Sequence, residues 1–103
     1  MTVTPKHGTI AELPDESVIE AACVITKDGP KPLAIGKLKP EIAGYIYHIK
    51  SFERLAIKAT VEGGRENAVA ALNLNPLIDS DAQANKVFDA LVEAHKKYLP
   101  QKF

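Results

Sequence analysis

With 103 residues the chain holds one domain at most, able to bury roughly 60–70% of its unfolded surface around one modest core. Hydrophobic residues at 46% and charged residues at 25% argue for a folded globular domain over disorder. Thirteen basic side chains offset thirteen acidic ones, so there is no cationic surplus for nucleic acid. The single cysteine, Cys23, cannot close an intrachain disulfide. MTVTPKHGTIAELPDE lacks a secretory apolar core, and no run approaches the ~18 apolar residues of a membrane span. These features point to the cytoplasm.

Residues 1–16 read as irregular, punctuated by Pro5, Gly8 and Pro14, with Thr2-Val3-Thr4 as a candidate strand tail. Residues 17–36 read as a hairpin. In SVIEAACVIT, Ile19, Ala21, Cys23 and Ile25 alternate with period two, which predicts one face on a core. KDGP at 27–30 supplies the turn and PLAIG a short return strand. A lone hairpin is marginal in water, so a helix or third strand is expected against it.

Residues 40–62 predict the longest helix, with Pro40 in the first position, where its missing N–H costs nothing. Ile42, Tyr45, Ile49, Phe52, Ala56 and Ala59 fall on one face, while Ile46, Ile57 and Val61 lie away from it. A helix apolar on two sides needs two partners. Gly63-Gly64 ends it. A short helix over 65–75 closes at Asn75-Pro76. The last helix is predicted over 80–99, with Ser80 and Gln83 at capping-box spacing. Its stripe is Ala84, Val87, Phe88, Leu91 and Val92, with Tyr98 as an extension and Pro100 as the stop. The fold class is α+β: a β-hairpin, with residues 2–4 as an optional further strand, packed on three helices.

Candidate chemistry is sparse. Cys23 sits mid-strand on an apolar face and reads as core packing, not as a nucleophile or ligand. His7, His48 and His95 are far apart, with no HxxxH or HxH spacing for a metal. Gly63-Gly64-Arg65 precedes a helix and could hold a phosphate, yet lacks P-loop lysine and spacing; a helix–helix turn is the stronger reading. Asp15, Glu16 and Glu20 read as a solvated edge, and Lys96-Lys97 as complements of a helix C-terminus. The sequence assigns no catalytic, cofactor-binding or metal-binding residue.

Four stretches nonetheless carry a resemblance: HGTIAELPDESVIEAACVI, GPKPLAIGKL, KSFERLAIKATVEGGRENAVAALNLNPLI and DSDAQANKVFDALVEAHKKYLPQKF. In this order, and over nearly the whole chain, they resemble the C-terminal part of family 4 glycoside hydrolases, nearest the 6-phospho-β-glucosidases. The most specific features are Phe52-Glu53, the Ala/Leu-rich helix, Asn75-Pro76-Leu77, and a final His95-Lys96-x-Tyr98-Leu99-Pro100-Gln101. RENAVAALNLNPLI resembles a packing element of that region. Cys23 resembles a cysteine that follows Val-Glu-x-Pro there, with Ala22 in place of the proline, and His7 stands where asparagine is common.

The resemblance implies part of a lactate-dehydrogenase-like C-terminal domain. It also implies an enzyme that uses NAD and a divalent metal, commonly manganese, to oxidise a 6-phosphorylated glucoside at C3 and eliminate the glycoside. The implied Gly-rich turn, metal ligands and base lie upstream and match no residue here. The chain is therefore expected to be a structural and oligomerisation part, closing one wall of the sugar cleft. Its partners would be the N-terminal dinucleotide-binding portion and further copies. Alone it is expected neither to bind NAD nor to hydrolyse substrate. The alternative is a standalone homodimeric interaction module.

Overall fold

Four short strands and three helices make up the computed structural model, which describes residues 2–5, 8–99 and 103. The chain divides into two units, Met1–Tyr45 and Ile46–Phe103.

In the first unit, β1 (Thr2–Pro5) pairs antiparallel with β2 (Val18–Ala21), from Thr2 opposite Ala21 to Pro5 opposite Val18. The predicted strand tail is thus a full partner strand. β3 (Cys23–Thr26) and β4 (Gly29–Pro32) form a separate antiparallel hairpin around Lys27 and Asp28. Thr26 Oγ1 accepts from the Asp28 N–H at 3.2 Å and donates to the Gly29 carbonyl at 2.8 Å. Gly29 has φ 104°, which only glycine adopts without strain. Pro30 and Pro32 cannot donate to a ladder, which confines β4 to an edge.

Two expectations for this unit are corrected. The strand predicted over SVIEAACVIT breaks at Ala22, so its period-two face does not stay on one side. Ile19 and Ala21 are buried, Cys23 is half-buried and Ile25 is 75% exposed. The return strand is Gly29–Pro32, not residues 32–36, because the tight turn starts the return at Gly29. PLAIG instead runs on past the hairpin. The Leu33 N–H reaches the Ala22 carbonyl at 2.9 Å, and Ile35 N–H the Thr9 carbonyl at 2.8 Å. Gly36 then bridges Ile10 in parallel. Thr9, Ile10 and Leu13 are buried with Ile19 and Ala21, so the stretch read as irregular supplies much of this unit's core.

The helix α1 (Pro40–Glu62) has the predicted bounds. Lys39 carbonyl accepts from the Ile42 and Ala43 N–H groups, and Gly63, at φ 79°, donates to the Ala59 carbonyl at 2.9 Å. Its apolar stripe is only partly covered. Ala59 is buried and Ile49, Phe52 and Ala56 are half-buried, but Ile42 is 49% and Tyr45 65% exposed, and Ile57, off the stripe, is exposed as well. A helical period records which face is apolar, not whether a partner is at hand for it.

The helix α2 (Arg65–Leu74) starts at Gly64 without a side-chain cap and ends at Asn75, which is extended before Pro76. Asn75 Oδ1 then accepts from the Leu77 N–H at 2.9 Å, holding the turn. The helix α3 (Asp81–His95) is capped by Ser80, whose Oγ accepts from the Gln83 N–H at 3.1 Å. The reciprocal arm is displaced by one residue: Gln83 Oε1 accepts from Asp79, not Ser80. The helix ends at His95, not at residue 99. Tyr98 N–H donates to the His95 carbonyl at 2.8 Å, the tightened last turn of an ending helix. Tyr98 is exposed and does not extend the stripe, in which Ala84 and Phe88 are buried and Leu91 is largely open. Pro100 lies outside the described residues.

Candidate functional site

The helical unit is held by side chains that differ in kind from its apolar stripes. Arg65, at the start of α2, reaches across to α3. Its Nη2 donates to Asn85 Oδ1 at 3.0 Å and to Asp89 Oδ2 at 3.2 Å, and its Nη1 to the other Asp89 oxygen. The guanidinium carbon also lies 4.8 Å from the centre of the Phe88 ring. The hydrogen bonds from Arg65 hold the Asp89 carboxyl below its ordinary pKa, and the same bonds raise that of Arg65. Asn85 continues the link by donating to the Asp81 carbonyl at 2.9 Å, and Asn73 of α2 donates to Asp81 Oδ1 at 2.9 Å. Of the asparagines in RENAVAALNLNPLI, Asn73 ties α2 to α3, while Asn67 donates to the Gly63 carbonyl at 2.9 Å and Asn75 holds the turn after α2.

His48 of α1 joins the same assembly through its Nε2, bonded to the Leu74 carbonyl at the end of α2. A carbonyl only accepts, so Nε2 carries the proton, and one of the orphan carbonyls of α2 is satisfied. His95 spends Nδ1 on the Leu91 carbonyl one turn back, at 2.9 Å. Between these links an open apolar groove of about 340 Å³ runs beside Phe52 and Ala56 of α1, Ala71 of α2, and Phe88 and Leu91 of α3. Phe103 stands against Phe88 edge-to-face, with ring centres 5.7 Å apart. His95 brings a polar ring to an otherwise apolar wall.

The other sequence candidates stay apart. Cys23 Sγ donates to the Ala21 carbonyl at 3.4 Å and is half-buried, less enclosed than a core thiol. His7 lies outside the described residues. Among the described residues no group of three or more His, Cys, Asp or Glu side chains comes together to hold a metal. Arg65, the cation considered for a phosphate, is committed to Asp89 and Asn85. Asp15, Glu16 and Glu20 are exposed, Lys96 pairs with Glu93 at 2.7 Å, and Lys97 lies over the Tyr98 ring. Of the Phe52-Glu53 pair, Phe52 lines the groove and Glu53 accepts from Lys50 at 2.6 Å. The Arg65–Asp89 link was not legible in the sequence, because its partners are 24 positions apart with no motif spacing.

Comparison with known proteins gives these elements a setting. Residues 1–78 match the sequence model of the family 4 glycosyl hydrolase C-terminal domain. The chain is 48% identical over 100 residues to a probable 6-phospho-β-glucosidase of Bacillus subtilis (strain 168), covering 97% of this chain and 23% of that protein. It is 35% identical over 97 residues to a 6-phospho-β-glucosidase of Escherichia coli (strain K12), covering 93% and 22%. Among solved structures, a 6-phospho-α-glucosidase from gut microorganisms in complex with NAD and glucose-6-phosphate superposes with a TM-score of 0.91 at 30% identity, over 98% of this chain and 23% of that one. The 6-phospho-β-glucosidase of Thermotoga maritima with manganese, NAD+ and glucose-6-phosphate gives 0.83 at 29%, over 94% and 24%. The chain thus spans about a quarter of the length of the relatives it matches.

Proposed function

The chain belongs to the family 4 glycosyl hydrolases, as a C-terminal domain of that family, and we propose that it is the structural and oligomerisation part of a 6-phospho-glucosidase. The observation that carries this reading is the match over nearly the whole chain to 6-phospho-β-glucosidases of two bacteria. Those relatives favour a 6-phospho-β-glucoside as the substrate of the whole enzyme. The related structures hold NAD, and one of them manganese, so both groups are proposed for the whole enzyme.

The described residues fit neither group. They bring together no metal-ligating set, and the glycines before α2 are followed by an arginine already bonded to Asp89 and Asn85. No step of the reaction is therefore assigned to a side chain of this chain. The 103 residues act as one domain fragment that closes a wall of the sugar cleft, with the N-terminal dinucleotide-binding portion as its partner. Exposed apolar residues on α1, such as Tyr45 and Ile57, suit contacts between subunits of a homo-oligomer. No helix among the described residues is long and apolar enough to cross a membrane, in keeping with the proposed cytoplasmic setting.

A chimera tests the reading. This chain replaces the matching C-terminal segment of the Bacillus subtilis relative, and hydrolysis of a 6-phospho-β-glucoside is measured with NAD and manganese. Hydrolysis that requires both groups is expected. A chimera that folds and binds NAD but does not turn over would overturn the reading.

A further inference from the structure

We draw no further inference here: the strongest candidate, the apolar groove bounded by Phe52, Ala71, Phe88 and Leu91 in the helical unit, is an unpartnered apolar face, and nothing in the structure shows what covers it.

Discussion

The two units of this chain hold themselves together by different means. Met1–Tyr45 relies on backbone pairing, with two small ladders and a bridge from Ile10 to Gly36 around a few buried side chains. Ile46–Phe103 relies on helices tied by side chains: Arg65 to Asp89, Asn73 to Asp81, and His48 to the end of α2. Backbone pairing depends on where a strand breaks, which side-chain pattern reports poorly. Helix ends depend on caps and prolines, which the sequence displays.

Substitutions can break this contrast. The largest effect is expected at Phe88, which is buried, lies under Arg65 and meets Phe103. Phe88→Ala should lower the unfolding free energy by about 3 kcal/mol, the low end for a buried phenylalanine, read from urea denaturation. In the first unit, Ile19→Ala should cost about 2 kcal/mol. Ile25→Ala, on the same face by simple alternation, should cost less than about 0.5 kcal/mol because Ile25 is exposed. Equal costs at the two isoleucines would restore the unbroken strand. Ser80→Ala removes the α3 cap and should cost about 1 kcal/mol.

The smallest effect is at Asp89, an exposed partner of Arg65. Its carboxyl pKa is lower in the folded state, so the folded state favours the ionised form. The stabilisation is complete above the ordinary carboxylate pKa and is lost as pH falls through the lowered value. Asp89→Asn should therefore lower the thermal midpoint slightly at neutral pH. Parent and variant should converge in acid, a difference that calorimetry across pH would read. A gap that persists below the carboxylate range would mean that Asp89 acts through something other than its charge.

Much of the three helices is legible because local chemistry sets their bounds. Pro40 and Gly63 delimit α1, and Asn75-Pro76 closes α2. Pro100 marks only the latest possible stop of α3, while the tightened turn at His95–Tyr98 sets the real one. The break at Ala22 escaped the alternation count because Cys23 and Ile25 keep the apolar pattern after the strand has changed partner. The buried Thr9, Ile10 and Leu13 lack any period, so no pattern marks them as core. As for chemistry, no residue pattern pointed to glycoside cleavage. Only resemblance over four ordered stretches did, and the family match bears out that membership in the family.

The central claim is that this chain supports a reaction whose reactive groups lie in another part of the enzyme. Its most direct test mixes the purified chain with the Bacillus subtilis relative truncated to lack the matching segment, and follows hydrolysis of a 6-phospho-β-glucoside with NAD and manganese. Neither component alone should turn over, and activity should appear on mixing. Hydrolysis by the purified chain alone would contradict the account.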